Sequence, residues 1–447
     1  MTTHTIKRGF DIRIDGKADK KLEAAGEPVL VAVETADFPG IKPKALVEPG
    51  QRVRTGEPLF LDKNDRETVF CSPATGKVKE VVFGERRFLQ RVVVEPESKD
   101  EFVENGLGSA KDRADLVAAI KRAGLWPLLR QRPIGRIADG SADPAAIFVN
   151  GMDTEPLAAC PAFATEGRQK DLQAGIDLLR KLTSGRIHVC LRAAGDHQSE
   201  LRALSGVEIH DFDGPHPAGL VGTHIRFVQP LKQNEVAWYL KAQELALLGE
   251  WARSGRYPSM RVVAIAGTRA PVRAYFKVRQ GAVLPTVLGG KVLGDDVRVI
   301  NGTVLTGRAV PGGGFLGFYA TTVTCIPEGK GRRDLFGWAV PGFSKHSFHR
   351  SVFGWLARKP AYDLDARLHG GRRPIVNIGS WESVTPLDIY PTYLMRAIQA
   401  NDLDEALRLG LLEVTEEDVA LCSFVDPCKI DAGEVIRAGL DMYAKEA

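Results

Sequence analysis

The chain lacks the cysteine spacing that marks a metal or cluster centre. Its six cysteines, Cys71, Cys160, Cys190, Cys325, Cys422 and Cys428, include no C-x-x-C pair, which excludes zinc-knuckle and ferredoxin-type ligand sets. Scattered this way through 447 residues, they are expected to be free thiols. No apolar run approaches the ~20 residues that span a bilayer, and residues 1–8 lack the apolar core of a signal peptide. The protein is therefore expected to stay on the side of the membrane where it is made, although an integral partner can hold it there. Charge of one sign is also scarce. Sixty basic residues against 56 acidic ones leave +4, and no dense basic run interleaves with aromatics, so nucleic acid is not an expected partner. The pattern G-x-x-x-x-G-K-[ST] is missing, and with it any sign of a mononucleotide phosphate cradle.

What is present describes a globular protein of several domains. With 44% apolar and 26% charged residues the composition is ordinary, and the length suffices for roughly three or four domains of ~100–150 residues. In the first hundred residues, Gly50, Gly56 and Gly76 read as turns, with Val53, Leu59, Phe60, Val78 and Val81 on short strands between them. This rhythm resembles the small β-sandwich of biotinyl and lipoyl carriers. Lys63 is the only candidate for a modifiable lysine, and its turn, Leu61-Asp62-Lys63-Asn64-Asp65, lacks an attachment motif. The module is expected to be a carrier fold used for docking, with Lys63 unmodified.

Further along, the pattern predicts a helix opening at residues 109–112, with Leu116, Ala119, Ile120 and Ala123 on one face and Gly124 as its stop. Strands are predicted at 145–150, 186–191 and 207–210, with a helical face at Leu172, Ile176, Leu179 and Leu182 between the first two. Strands alternating with helices predict a Rossmann-like parallel α/β domain, closed by a long helix over about 234–253. The runs 261–266, 273–278 and 297–300 then predict a compact β-grasp unit, and the chain from Leu387 onward reads as helical, one helix opening at Thr415-Glu416-Glu417-Asp418.

Candidate chemistry is sparse. Gly312, Gly314 and Gly317 satisfy G-x-G-x-x-G, but β-prone residues 318–324 follow where a dinucleotide site needs a helix, so a glycine-rich turn is predicted. His210-Asp211-Phe212-Asp213-Gly214-Pro215-His216-Pro217-Ala218-Gly219, with His224 beyond, gathers three histidines and two aspartates, donors suited to zinc or iron. The spacing fits no known ligand helix, and Pro215 and Pro217 hold the stretch extended, so a rigid loop over the end of the parallel sheet is predicted. Loops at such strand ends are where open α/β sheets place ligands, which leaves Asp153, in Asn150-Gly151-Met152-Asp153-Thr154-Glu155-Pro156, with His216 and His224 as a possible ligand loop and no metal site. Cys422 and Cys428 can be read as a redox pair or as small buried side chains.

Several longer segments occur in the order seen in one known family. They are Ile6-Lys7-Arg8-Gly9-Phe10-Asp11, Ser72-Pro73-Ala74-Thr75-Gly76, Arg86-Arg87-Phe88-Leu89-Gln90 and Ile147-Phe148-Val149-Asn150-Gly151-Met152-Asp153-Thr154. Gly214-Pro215-His216-Pro217-Ala218-Gly219-Leu220-Val221-Gly222-Thr223-His224, Asp334-Leu335-Phe336-Gly337-Trp338, Pro386-Leu387-Asp388-Ile389 and Ala420-Leu421-Cys422-Ser423-Phe424-Val425 follow. On these the chain resembles the A subunit of the sodium-translocating NADH:quinone reductase over nearly its whole length. It departs from the family pattern at Trp381 and Thr385, and at Asp426-Pro427-Cys428-Lys429 where Cys-Pro-Gly-Lys is usual.

The resemblance implies an α/β multidomain protein. Its expected parts are an N-terminal segment plus carrier-like β-sandwich over residues 1–104, a Rossmann-like domain over 105–255, a β-grasp (SLBB-like) domain over 256–330 and a mainly helical domain over 331–447. It implies a peripheral subunit on the cytoplasmic side of the bacterial inner membrane that contributes to the binding of ubiquinone, its substrate. No catalysis is expected from the isolated chain, and no flavin, iron or zinc bound to it. Flavins, iron and NADH would belong to partner subunits, among them an integral membrane flavoprotein. The candidate quinone lining is Val33, Phe38 and Pro39 on one side and Trp126, Arg132 and Pro133 on another, because a quinone needs an apolar slot with one or two hydrogen-bond donors. Two other readings compete: an Rnf-type electron-transfer subunit that binds NADH and flavin itself, and a non-catalytic scaffold.

Overall fold

The computed structural model describes residues 2–108, 110–194, 199–290, 294–330, 342–343, 345–348, 353–356 and 361–446. The segment Asp334-Leu335-Phe336-Gly337-Trp338 lies outside the described residues.

The centre of the molecule is a seven-stranded sheet. Its order is Thr2–Thr5, Glu208–Asp213, Arg186–Arg192, Ala146–Asn150, Ala237–Lys241, Arg130–Arg132 and Arg136–Ile137. The first five strands are mutually parallel and the last two form an antiparallel hairpin at the edge. The three inner parallel strands, Arg186–Arg192, Ala146–Asn150 and Ala237–Lys241, are near-continuous apolar runs because both faces are covered, whereas Glu208–Asp213 and Thr2–Thr5 toward the edge are more polar. Ile147, Val149 and Leu240 pack with helices Gln169–Leu179 and Ala242–Ser254 in one core, and Phe148, Phe212 and Tyr239 face a second core containing helix Val221–Val228.

Chain order puts Ala146–Asn150 in the middle. The next two strands step outward on one side, and Ala237–Lys241 then returns to the other side. The order therefore reverses between Ala146–Asn150 and Ala237–Lys241. Their carboxyl ends diverge there, leaving a crevice.

The helix predicted over about 234–253 is two elements. Ala237–Lys241 is a strand, and the helix starts at Ala242 with Glu244 accepting from the Lys241 amide at 2.6 Å. Ala237, Trp238 and Leu240 are fully buried between two neighbouring strands, a tertiary setting that overrides local helical spacing. The helix then packs so closely on Gln169–Leu179 that a Cβ at Gly249 would run into the carbonyl oxygen of Asp171. Helix Arg113–Arg122 forms where predicted, with Asp112 as its N-cap accepting from Asp115 N at 2.9 Å and Leu116, Ala119 and Ile120 buried.

The N-terminal module pairs Val31–Glu34, Leu89–Pro96, Gly76–Phe83 and Arg52–Val53 in one sheet and Pro43–Ala45, Pro58–Asp62 and Val69–Cys71 in another. Gly50 and Gly56 turn the chain with positive φ, but Gly76 does not: it opens a strand paired with Pro96. Lys63 is exposed in the turn between Pro58–Asp62 and Val69–Cys71. Asp65 in the same turn meets Lys121 at 2.8 Å, so this hairpin rests on helix Arg113–Arg122.

A six-stranded sheet runs Arg308–Val310, Val297–Asn301, Thr322–Pro327, Met260–Ala266, Tyr275–Arg279 and Leu22–Ala24, with helix Leu284–Val287 between its strands. Gly312, Gly314 and Gly317 lie in the turn between two of these strands. Helices Ser380–Val384, Pro391–Gln399, Leu403–Arg408, Ala420–Val425 and Ala432–Glu446 share a separate core.

The first 24 residues tie these units together. Thr2–Thr5 joins the parallel sheet, Ile12 enters the helical core, and Leu22–Ala24 edges the six-stranded sheet. The segment grouped with the sandwich in the sequence thus serves the three other units. All six cysteines are free, and Cys422 and Cys428 are both buried. Burial pushes the Cys422 thiol up to about 12, so it is no thiolate at neutral pH.

Candidate functional site

The crevice at the strand-order reversal opens into a cleft of about 750 Å³, within the range of small-molecule sites. Asn150 and Lys241 end the two diverging strands in it. Asp153 and Glu155 follow from the first strand's loop, Thr303 and Arg308 come from the six-stranded sheet, and Glu417 and Arg437 come from the helical unit. Ala36, Asp37 and Pro39 of the N-terminal module stand at the same cleft as Arg130 and Gly135 of the edge hairpin. Four structural units thus contribute, and no local sequence window contains the site.

Three of the family-like segments meet at its rim. Phe10 N donates to His216 O at 2.8 Å, and His216 N donates to Asp11 Oδ1 at 2.9 Å. A Cβ at Gly9 would collide with the same His216 carbonyl, and Gly9 has φ +146, so this position demands glycine. Asn150 Nδ2 donates to Gly219 O at 2.8 Å. Thr154 Oγ1 accepts from Gly219 N at 2.9 Å, which leaves its proton for His216 Nδ1 at 3.1 Å. Segments 6–11, 147–154 and 214–224 are far apart in the sequence, yet they are one hydrogen-bonded assembly.

The electrostatics are those of a partly buried acidic site. Glu155 Oε2 accepts from Thr303 Oγ1 at 3.0 Å, while Oε1 has no hydrogen-bond partner among the described residues. Burial, then the neighbouring Asp153 carboxylate, push Glu155 up to about 8, so it holds its proton at neutral pH. Burial likewise raises Asp37 to about 6, against the opposing effect of the Phe318 amide, which donates to it at 2.7 Å. Arg130 is clamped between the rings of Tyr239 and Tyr319, 4.5 and 4.8 Å from their centroids, and stands 3.7 Å from Glu244. The cleft therefore offers cationic and hydroxyl donors, a neutral carboxylic acid and two tyrosine rings. Carboxylates occupy the first loop, where a dinucleotide fold presents glycines to pyrophosphate.

The structure divides the residues singled out in the sequence. Pro39 lines the cleft. Val33 and Phe38 do not line it and are buried in the core, Phe38 packing on Phe70 and Phe318 at ring separations of 4.4 and 4.9 Å. Trp126 is fully buried, donates Nε1 to Ala138 O at 2.8 Å and meets Trp238 edge-on. Arg132 is 3% exposed and binds Asp418 at 2.6 Å and Glu417 at 2.8 Å, and Pro133 follows it in the edge hairpin. Asp153 lines the cleft, but His216 and His224 do not. Burial lowers His216 to about 4 and His224 to about 3, so both are neutral. His224 Nε2 lies 3.0 Å from Ala218 O, and its ring packs on Phe212. The histidine-rich stretch does not converge as one ligand set.

Sequence reasoning passed over Arg130, Tyr239, Lys241, Thr303 and Tyr319. Tyr239 and Lys241 sit in the stretch read as a long helix, Tyr319 in a β-prone run after a glycine-rich turn, and Arg130 and Thr303 in no marked pattern, so only their convergence from distant segments marks them. Among the described residues, no helix is long and apolar enough to cross a membrane.

Comparison with known proteins agrees with this architecture. Residues 4–97 match the NqrA N-terminal barrel-sandwich hybrid domain, 111–257 the NqrA second alpha/beta domain, and 262–312 the SLBB family described as the NQRA C-terminal domain. The A subunit of the Na(+)-translocating NADH-quinone reductase of Neisseria gonorrhoeae is 37% identical over 450 residues, covering 99% of both chains. Its counterpart from Vibrio atlanticus is 38% identical over 447 residues, again covering 99% of each. A chain of the NAD+-reducing [NiFe]-hydrogenase in the air-oxidized state overlays at 12% identity with a TM-score of 0.38, covering 76% of this chain and 63% of that one, too slight a likeness to carry an argument. With three family models in sequence order and full-length relatives well above 30% identity, the chain belongs to the NqrA family, the A subunits of Na(+)-translocating NADH-quinone reductases.

Proposed function

We propose that this protein is a peripheral, cytoplasmic-side subunit of a sodium-pumping NADH:ubiquinone reductase, and that it contributes to quinone binding without a redox centre of its own. Flavins, iron and NADH are held by partner subunits, among them an integral membrane flavoprotein. The observation that carries the quinone reading is that Pro39 of the N-terminal module, with Ala36 and Asp37, and Arg130 and Gly135 of the edge hairpin line one cleft at the carboxyl ends of a parallel sheet. This is the place where a Rossmann-like domain binds its ligand. Of the six residues expected to flank a quinone Pro39 alone lines it, and Val33, Phe38, Trp126, Arg132 and Pro133 do not.

Pro39, Tyr239 and Tyr319 supply apolar surface for a ring, and Arg130, Lys241 and Thr303 supply donors for its carbonyl oxygens. Reduction of a quinone to a quinol takes up two electrons and two protons. The electrons come from a partner subunit. Glu155, protonated near neutral pH, is suited to deliver a proton to a reduced quinone oxygen. The acidic loop at Asp153 and Glu155 weighs against the alternative in which this chain itself holds NADH or flavin phosphates.

The test uses membranes carrying the assembled complex with Pro39→Trp, which fills the exposed mouth of the cleft. The expected result is a KM for a short-chain ubiquinone raised at least tenfold, with NADH oxidation by an artificial acceptor unchanged. An unaltered quinone KM, or normal sodium-dependent quinone reduction in membranes lacking this chain, overturns the assignment.

A further inference from the structure

Away from the cleft, two adjacent parallel strands bring His188, Glu208 and His210 together. His188 pairs in register with Glu208, and Cys190 with His210, which places the three side chains on one face of the sheet. His188 Nδ1 is 3.1 Å from His210 Nε2, and Glu208 Oε2 lies 3.5 Å from the first and 3.9 Å from the second. A tetrahedral ion with bonds of about 2.0–2.1 Å separates its ligand atoms by about 3.3 Å. The triangle of ligand atoms therefore has the dimensions of one face of such a site.

The hydrogen bonds around the triangle orient the lone pairs inward. Gln229 Nε2 donates to Ala145 O at 3.2 Å, which sets its amide so that Oε1 accepts from His188 Nε2 at 3.0 Å. His188 Nδ1 is then the bare nitrogen, facing the other two. On the far side His210 Nδ1 lies 3.5 Å from His4 Nε2, a partner that lets His210 keep its proton on Nδ1 and present a bare Nε2. Glu208 divides its oxygens: Oε1 takes Arg186 at 3.1 Å and Oε2 turns to the imidazoles. Each ring is thus held through its second nitrogen, as metal-bound histidines usually are. Without an ion, the 3.1 Å contact between the two imidazoles is a single N–H···N bond with the His210 proton on Nε2, and binding of an ion would move that proton to Nδ1 beside His4.

We propose that His188 Nδ1, His210 Nε2 and Glu208 Oε2 bind one divalent transition-metal ion of the Zn²⁺ type, with water as the fourth ligand. The fourth position opens on the side of Glu208, whose side chain is 46% exposed, whereas His188 is 2% exposed. Two imidazoles and one carboxylate suit Zn²⁺ better than Mg²⁺ or Ca²⁺, which take oxygen ligands. Such an ion has no redox chemistry. It would clip Arg186–Arg192 to Glu208–Asp213, beside the edge strand Thr2–Thr5. No sequence motif announces it, because His188 and His210 are 22 residues apart and meet only through strand pairing.

The test is binding of ZnCl₂ to the full-length protein, stripped of metal with a chelator, by calorimetry, with Co²⁺ in place of Zn²⁺ to read tetrahedral coordination from its visible absorption. The expected result is one ion per chain, with affinity reduced at least tenfold in His188→Asn, His210→Asn and Glu208→Gln. Gln229→Leu is expected to weaken binding by about 10–100-fold through loss of the orienting bond, and His369→Ala to leave it unchanged. Glu208→Gln alters a half-exposed side chain, so its result stands even where a histidine variant misfolds. Absence of a stoichiometric ion, or undiminished affinity in Glu208→Gln, overturns the proposal.

Discussion

Replacing Arg132 by methionine is expected to loosen the helical C-terminal unit from the rest of the molecule. Arg132 lies on the edge strand Arg130–Arg132, and its guanidinium bonds Asp418 Oδ2 at 2.6 Å and Glu417 Oε1 at 2.8 Å. Asp418 is 2% exposed at its side chain and also accepts from Thr415 N at 2.9 Å, closing the capping box of Glu416–Val419. Methionine roughly preserves the stem of the arginine, so the main loss is electrostatic. Two carboxylates are left with no cation bonded to them, one of them fully buried. Breaking a buried pair in this one-sided way costs about 3–5 kcal/mol. At about 1.4 kcal/mol per tenfold, that raises local opening by between about a hundredfold and a few thousandfold.

A chain of several domains does not melt in two states, so a single Tm is the wrong measure. The assay is amide hydrogen exchange in helices Pro391–Gln399 and Ala432–Glu446, with strand Ala146–Asn150 as internal reference. Exchange in the helices should accelerate by that factor while the reference strand stays protected. The triple variant Arg132→Met, Glu417→Gln, Asp418→Asn removes the stranded charges and should recover most of the protection. A shift below tenfold in Arg132→Met, or no recovery in the triple variant, would refute the reasoning.

Glu155→Gln should flatten the pH dependence of stability. The folded carboxyl ionises near 8 and the unfolded one near 4.5, so the folded state holds the extra proton between these values. Stability from this group therefore falls as pH rises through that window, by at most about 1.4 kcal/mol per pH unit, and amide hydrogen exchange in strand Ala146–Asn150, corrected for the intrinsic rate at each pH from 5 to 8, should show the slope reduced in the variant. Gly249→Ala should destabilise the α/β unit by about 1–3 kcal/mol, because the new methyl overpacks the contact with Asp171; amide hydrogen exchange in helices Gln169–Leu179 and Ala242–Ser254 measures this, and a neutral result would show the two helices can part freely. Intact mass spectrometry from the native host should find Lys63 unmodified, and a mass increment localised there would contradict the docking role of the module.

Much of the fold was legible because it rests on local patterns. Apolar runs at 145–150 and 186–191 mark strands buried on both faces, and Asp112 before Leu116, Ala119 and Ile120 marks a capped helix. Long, unusual segments such as Gly214-Pro215-His216-Pro217-Ala218-Gly219 identify the family without any tertiary information. The strand Ala237–Lys241 was not legible, because its apolar residues run straight into those of the following helix and only insertion between two strands separates them.

Other features were decided by tertiary structure alone. Thr2–Thr5 is polar and edge-exposed, with no alternation to mark it as a strand, and it becomes one only where Glu208–Asp213 presents a free edge. Arg132 reads as a candidate ligand contact until Asp418, 286 residues away, is seen to bind it. The cleft draws its charges from four units, and the histidine triad depends on strand register. A sequence records the chemistry of each residue and the periodicity of its neighbours, which determined the elements and the family here. Distances between residues far apart in the chain arise only when those elements pack, and the cleft, the shifted carboxyls and the histidine triad all depend on such distances.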